Sequence, residues 1–338
     1  MSAARRHEAG VAVALIGAGR IGRIHAANAA AHPALHLKYV VDPLPDSAAA
    51  LAARYGAAAT SLESALADPA IAGVIVASPT DQHLAQCLQA MAAGKAIFCE
   101  KPLDLSLERA RSAAAALAKA RLLLGFNRRF DPNFLSLRRK LQAGEIGGLE
   151  TLHIISHDPA PPPLSYIKVS GGLFKDMTIH DFDMARWLLA EAIVEVYTMA
   201  ACLVDPTIGA ADDVDTAKVL LRTASGRIAL ISNSRRSAYG YDQRIEAFGS
   251  AGSVRVDNVA TTTVAVWGEQ GARRAPFQNF FLDRYAEAYR LEMDHFAAVL
   301  RGEQPAIGVA DGVRALELAE AAGRSQASGR PVALSGAV

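Results

Sequence analysis

Asp176 and His180 stand four residues apart, and Asp183 follows three further on, so on a helix all three share one stripe. Leu173, Met177, Met184 and Leu188 fall on another stripe, by which the helix can pack while it presents a carboxylate and an imidazole to a cleft. A carboxylate beside an imidazole orients the ring and raises its basicity, as removal of a hydroxyl proton requires. The same residues also read as acids suited to the dipole at a helix N-terminus, with His180 bonded to Asp176 and nothing more.

A second constellation lies near the N-terminus. Gly17-Ala18-Gly19-Arg20-Ile21-Gly22 matches GxGxxG, follows an apolar strand and opens a helix, the context that a dinucleotide loop demands. Gly17 allows the tight turn, Gly19 lets backbone approach a pyrophosphate and Gly22 permits close helix-to-strand packing. The diphosphate then faces N–H groups at the helix N-terminus, beside Arg20 and Ile21. Asp42 ends the second strand about 20 residues past the last glycine, where a carboxylate bonds the adenosine ribose hydroxyls. It favours NAD over NADP, because a 2′-phosphate would meet a carboxylate with no arginine in the following Pro43-Leu44. An aspartate capping a turn is the plain alternative.

Two later strand ends also carry polar groups, Ser78-Pro79-Thr80-Asp81-Gln82-His83 and Glu100-Lys101-Pro102. Both belong to the carboxyl edge of a parallel sheet, where doubly wound folds bind ligands, which makes Ser78, Thr80, His83, Glu100 and Lys101 candidate cofactor contacts. Against this, Thr80 can be an N-cap and Lys101 a solvated loop lysine.

The elements that must position these groups follow from the hydrophobic pattern. Strands are predicted at Val11–Ile16, Leu37–Val41, Gly73–Ala77, Ala96–Cys99 and Leu122–Phe126, with alanine-rich helices beginning near Arg20, Asp46, Ser61, Thr80 and Ser106. This alternation is the rhythm of an α/β doubly wound parallel sheet. Beyond it come a helix over Pro132–Ala143, a proline-rich stretch Pro159–Pro163 and a helix over Leu173–Leu189. Strands in series follow, with hairpins at Ser225-Gly226 and through Gly249–Ser253, then helices near Leu282–Leu300 and Val309–Ala322. The second domain is therefore α+β with a mostly antiparallel sheet, and the boundary falls near Phe126: residues 1–126, then 127–338.

Composition narrows the class. Of 338 residues 51 % are hydrophobic and 20 % charged, and 35 Lys+Arg against 34 Asp+Glu leave a net charge of +1, which suggests neither disorder nor a basic nucleic-acid surface. Three cysteines without a CxxC pair argue against a disulfide framework or structural zinc and fit a reducing cytoplasm. Arg5-Arg6 ahead of Val11–Ile16 does not make an export signal, since that run is too short, and nothing approaches a membrane span. His153 and His157 have no persuasive third ligand, so no metal is expected. The Glu292/His295 ExxH pair reads as ordinary surface, Arg235-Arg236 as a local basic cluster, and Phe277, Phe280, Phe281, Tyr285 and Tyr289 as core or subunit contact.

The succession of GAGRIG, Asp42, SPTDQH and CEKPL resembles the glucose-fructose oxidoreductase/inositol dehydrogenase (Gfo/Idh/MocA) family. The later segments Gly125–Pro132 and Gly171–Arg186 resemble its substrate-side signatures, more narrowly those of inositol 2-dehydrogenases. The resemblance spans nearly the whole chain. It implies a Rossmann domain joined to an α+β domain with an open sheet, assembly as a homotetramer, Lys101 as the active-site lysine and a cis bond before Pro102. Oxidation of a secondary alcohol then assigns the hydroxyl proton to His180, the orientation of its ring to Asp176 and the reacting oxygen to Lys101. Asn127, Arg128, Asp158, Asp183, Tyr239 and Tyr241 are the candidates for holding a polyol, with Arg128, Asp158 and the tyrosines favoured by the resemblance. The substrate implied is inositol, myo- or scyllo-. An aldose or other cyclic polyol, an NAD-dependent glycosidase and a non-enzymatic sugar sensor are the competing readings.

Overall fold

A computed structural model describes residues 10–334; Arg5 and Arg6 lie outside them. Contacts divide the chain into two units: residues up to Phe130 together with Ala288–Arg314, and Asp131–Glu287 together with the segment from Ala315 onward.

The first unit runs β1 (Val11–Ile16), α1 (Arg20–Ala31), β2 (Leu35–Val41), α2 (Pro45–Arg54), β3 (Ala58–Ala59), α3 (Leu62–Ala67), β4 (Gly73–Val76), α4 (Thr80–Ala92), β5 (Ala96–Glu100), α5 (Leu107–Leu117) and β6 (Leu122–Gly125). Its strands are parallel in the order β3-β2-β1-β4-β5-β6, so the order reverses between β1 and β4. That reversal opens a crevice at the carboxyl ends of these two strands. Every residue of β4, β5 and β6 is buried, as parallel strands covered on both faces must be. Ser61 and Ser106 cap α3 and α5 by accepting from Ser64 N and Arg109 N, whereas Thr80 is the first helical residue of α4 and Pro79 its cap.

Sequence order hides one feature of this unit. Residues 127–130 and Ala288–Arg314 group with the first unit, although the reading of the sequence assigned them to the second domain. The reason is that β6 is an edge strand, and its Leu124 N–H finds the Ile307 carbonyl at 3.0 Å. Phe296 meanwhile packs edge-on against Phe98, with ring centroids 5.8 Å apart.

The second unit follows as α6 (Pro132–Gln142), β7 (Leu149–His157), α7 (Leu164–Ser170), a π-helical turn (Phe174–Thr178), α8 (Ile179–Leu189), β8 (Ile193–Ala201) and α9 (Pro206–Gly209). Then come β9 (Thr216–Thr223), β10 (Ile228–Ser234), β11 (Asp242–Gly249), β12 (Gly252–Val256), β13 (Ala265–Gly268), β14 (Gly271–Arg274) and α10 (Phe281–Arg284). Helices α11 (Ala286–Leu300) and α12 (Val309–Ser328) contribute to both units, and β15 (Val332–Ala333) ends the described chain. The main sheet is ordered β12-β11-β7-β10-β9-β8-β15; β7 and β10 pair in parallel and the other neighbours antiparallel. The predicted single helix over Leu173–Leu189 is thus a π turn followed by α8. Thr178 Oγ1 lies 3.3 Å from the Leu173 carbonyl five residues back and donates to Asn233 Oδ1 at 2.7 Å, which ties the end of the wider turn to the sheet.

Two buried carboxyls in this fold are treated in opposite ways. Asp215, with no exposure, accepts from the backbone N–H of Leu203, Val204 and Asp205 at 2.8, 2.8 and 3.0 Å and from Thr216 Oγ1 at 2.9 Å. Burial would push it up, but these donors outweigh burial and hold it at about 2. Glu292, read from sequence as surface, is wholly buried on α11, and its carboxyl oxygens have no hydrogen-bond partner among the described residues. Burial, with Glu100 nearby, pushes it well above the carboxylate range.

These environments give opposite pH signatures. Asp215 is depressed in the folded chain, so its contribution is complete above its unfolded value of 3.8 and is lost as pH falls towards about 2. Asp215→Asn is expected to lower unfolding free energy by about 2 kcal/mol at neutral pH, with the deficit shrinking in acid, measured by urea denaturation. Glu292 is raised, so its cost is absent below 4.5 and grows as the unfolded chain ionises. Glu292→Gln should raise Tm more at about pH 8 than at about pH 5 by calorimetry.

Candidate active site

The glycine loop has the shape its residues predict. Gly17 adopts a φ of +104°, and a Cβ there would lie 2.5 Å from the Ala77 carbonyl; a Cβ on Gly22 would lie 1.9 Å from the Gly17 carbonyl. A Cβ on Gly19 would meet nothing within 4 Å, so the backbone beside it is open to a pyrophosphate. Gly19 is the N-cap of α1, no side chain caps that helix, and its first turn holds no acid, which leaves its N–H groups directed at an anion. Asp42 stands beside the loop: Oδ2 accepts from Ala18 N at 2.7 Å and Oδ1 from Leu44 N at 2.9 Å. These residues fit the diphosphate and ribose of a dinucleotide, and the exposed Arg20 and half-buried Ile21 complete the loop.

The two later strand ends are locked together. His83, only 2 % exposed, places Nδ1 2.8 Å from the Pro102 carbonyl and Nε2 2.9 Å from the Ser78 carbonyl. Its ring therefore ties the loop after β4 to the loop after β5. Ser78 Oγ donates to Gln86 Oε1 at 2.7 Å, and Thr80 is half-buried at the start of α4. The Glu100 carboxylate turns inward, where Oε1 meets His25 Nε2 on α1 at 2.6 Å, and the His25 ring packs edge-on against Phe98 and Tyr289. The buried brace between α1 and β5 thus ends one residue before Lys101. Lys101 is half-buried, and its bond to Pro102 is cis, as the resemblance implies. Asn127 and Arg128, on a 3₁₀ turn at the end of the first unit, are both buried, and neighbouring Arg129 pairs with Asp311 at 2.9 Å.

The second unit holds the carboxylate and imidazole. Asp176 lies on the π turn and His180 on the first turn of α8, both half-buried. Asp176 Oδ1 accepts from Tyr166 Oη at 2.9 Å, while Oδ2 is 3.6 Å from Nη1 of the buried Arg235. On the other side of the guanidinium, Nη2 is 3.8 Å from Asp213 Oδ2, and Asp213 Oδ1 accepts from Leu173 N at 3.0 Å, where the π turn begins. A second network anchors α8: Asp181, with no exposure, accepts from Ser156 Oγ at 2.6 Å and Asn233 Nδ2 at 2.7 Å, and Thr178 Oγ1 donates to Asn233 Oδ1 at 2.7 Å. Of the polyol candidates, Asp158 is half-buried, Asp183 is 1 % exposed and Tyr241 packs edge-on against Tyr285. Tyr239 is 55 % exposed and donates to Asp242 Oδ2 at 2.6 Å.

Sequence reasoning missed Tyr166, Asp181, Asp213 and Asn233, and took Arg235 for part of a local basic cluster. Their partners lie 10 to 59 positions away, at spacings that no helix or strand period marks. Only the change from apolar residues 228–231 to polar residues 232–234, with Arg235 just beyond the strand, hinted at a polar interior.

The model of an oxidoreductase family with an NAD-binding Rossmann fold matches residues 11–127, and the GFO/IDH/MocA C-terminal domain matches residues 134–255. An inositol 2-dehydrogenase of Rhizobium meliloti is 46 % identical over 95 % of this chain and 98 % of its own. The crystal structure of a myo-inositol dehydrogenase from Corynebacterium glutamicum superposes with a TM-score of 0.93 at 43 % identity, over 97 % of this chain and all of that one. The scyllo-inositol dehydrogenase of Lactobacillus casei, solved with NAD(H) and scyllo-inositol, gives 0.89 at 27 % identity over 96 % of this chain and 99 % of that one. With both halves of the family pattern present and its dinucleotide cradle formed, the chain belongs to the GFO/IDH/MocA family of NAD-binding oxidoreductases.

Proposed function

We propose that the chain oxidises one secondary hydroxyl of myo- or scyllo-inositol to the inosose, with His180 as the base. The observation that carries this reading is Asp176, a carboxylate anchored by Tyr166 and Arg235 four residues ahead of an imidazole, in a chain whose relatives are named for inositol. Gly17, Gly19, Gly22 and Asp42 would hold NAD, which would supply the hydride acceptor for the carbinol carbon. His180 takes the hydroxyl proton, Asp176 holds the imidazole in orientation, and Lys101 hydrogen-bonds the reacting oxygen and stabilises its developing charge. The C–H electron pair leaves as hydride, the O–H bond breaks to His180, and a ketone remains. Asn127, Arg128, Asp158, Asp183, Tyr239 and Tyr241 are the proposed hydroxyl partners, with Arg128, Asp158 and the tyrosines foremost; Ser78, Thr80, His83, Glu100 and Lys101 form or brace the nicotinamide side. A ring of hydroxyls rewards paired donors and acceptors over an apolar pocket.

The polypeptide is further proposed to act in the cytoplasm as a homotetramer. The sheet of the second unit supports the assembly: Arg222, Ile228, Thr151 and Phe248 form one cross-strand row and Tyr197, Leu220, Leu230 and His153 the next, with Leu220, Ile228 and Phe248 each more than two-fifths exposed. The β13–β14 hairpin adds Trp267 at 78 % exposure. Large apolar side chains exposed together on one sheet face are characteristic of subunit contacts.

NADH absorbance with myo-, scyllo- and chiro-inositol, glucose, galactose and xylose tests the substrate, and NADP tests Asp42. Inositol turnover with NAD is expected. Preference for an aldose would move the substrate, and silence with NADH still bound would favour the glycosidase or the sensor. His180→Ala is expected to lower kcat at least about 100-fold with NADH binding retained, and near-normal turnover would remove it as base. Sedimentation equilibrium should give four chains, and Ile228→Asp with Phe248→Asp should give smaller species.

A further inference from the structure

Arg235 combines features that a purely structural ion pair does not need. Its side chain is 1 % exposed, so the guanidinium has lost nearly all of its water, yet its two carboxylate contacts, at 3.6 Å to Asp176 and 3.8 Å to Asp213, lie beyond hydrogen-bond distance. Nε and Nη2 have no hydrogen-bond partner among the described residues. Arginine that serves stability usually meets carboxylates in short, often bidentate contacts that offset the desolvation. Here the charge acts through space instead. It lies between the carboxylate that stands four residues before His180 and the carboxylate that accepts from Leu173 N at the start of the π turn carrying Asp176.

We propose that Arg235 is a positioning residue for proton abstraction, an inference that rests on His180 being the base. At 3.6 Å its charge draws on Asp176 from the Oδ2 side while the Tyr166 hydroxyl holds Oδ1, so the carboxylate four residues before His180 is fixed from both sides. Without the cation, Asp176 and Asp213 would be left as like charges with nothing between them, and the Asp176 carboxylate would swing away from its place. A displaced Asp176 no longer favours the imidazole orientation that accepts the substrate's proton. The backbone N–H of Arg235, bonded to the Asp215 carbonyl at 2.8 Å, fixes the strand end from which the side chain reaches both acids.

The test is a double-mutant cycle on the full-length protein. Arg235→Met and Arg235→Lys are made alone and with Asp176→Asn, and kcat and KM for inositol are measured beside NADH affinity by fluorescence and Tm. Expected are a loss of at least about tenfold in kcat for Arg235→Met at unchanged NADH affinity, recovery of most of it in Arg235→Lys, and a further loss below about threefold when Arg235→Met is added to Asp176→Asn. Full multiplication of the two losses would overturn the inference, because Arg235 would then act independently of Asp176. So would a change confined to KM. Where Arg235→Met fails to fold, Arg235→Lys and Arg235→Gln in the same cycle decide by the same criteria. If His180→Ala keeps near-normal turnover, the base assignment falls and this inference with it; if His180→Ala is impaired while Arg235 variants keep the parental kcat, the inference alone falls.

Discussion

Asp181 is the buried carboxylate on which the placement of α8 against the sheet depends. It has no contact with water, and a buried carboxylate is tolerated only when its oxygens are satisfied. Ser156 on β7 and Asn233 on β10 supply that satisfaction, one on each strand of the sheet's parallel pair. Because Asn233 also accepts from Thr178, the same network holds the last residue of the π turn. A shift of the helix along the sheet would break several buried hydrogen bonds together, each costly to leave unmade. The half-buried Asp176 and His180 therefore stand on a segment that this network anchors to the sheet.

The first unit obtains its precision from contact distance instead of polar pairing. Gly22 lets α1 approach β1 until only hydrogen fits against the Gly17 carbonyl, and Gly17 is pressed in turn against the end of β4. The resulting crevice sits at the reversal of strand order, which is a property of the sheet and not of any single residue. Around it the histidines act as ties: His83 joins two loops through carbonyl oxygens, and His25 joins α1 to β5 through Glu100. Lys101 follows that brace directly, so the same packing that forms the dinucleotide cradle fixes the backbone of the lysine.

Carboxyl groups in this chain show that burial alone predicts nothing about ionisation. Asp215 and Glu292 both lie out of water, yet three peptide N–H groups hold the first at about 2 while the second, with no hydrogen-bond partner among the described residues, is pushed far up. Asp215 stabilises the loop that presents Asp213. Glu292 shows how readily an ExxH spacing misleads, since its burial comes from the packing of α11 with the first unit.

Local pattern determined a good deal. Fully apolar four- and five-residue runs between alanine-rich helices leave little but a covered parallel sheet, and GxGxxG opening a helix leaves little but a dinucleotide loop, because both depend on neighbours in sequence. Asp176, His180 and Lys101 were picked out as candidates for the same reason, as residues in short motifs. The π turn was not, for its last residue, Thr178, is held by Asn233, 55 positions away. Nor were Arg235, Asp213 and Asp181, whose polar character serves partners in other elements, or the return of Ala288–Arg314 to cover the edge of β6. Periodicity records which face of an element is apolar; only the tertiary structure decides which distant polar group meets a buried one, because that pairing is settled by packing across the sheet and leaves no period in the chain.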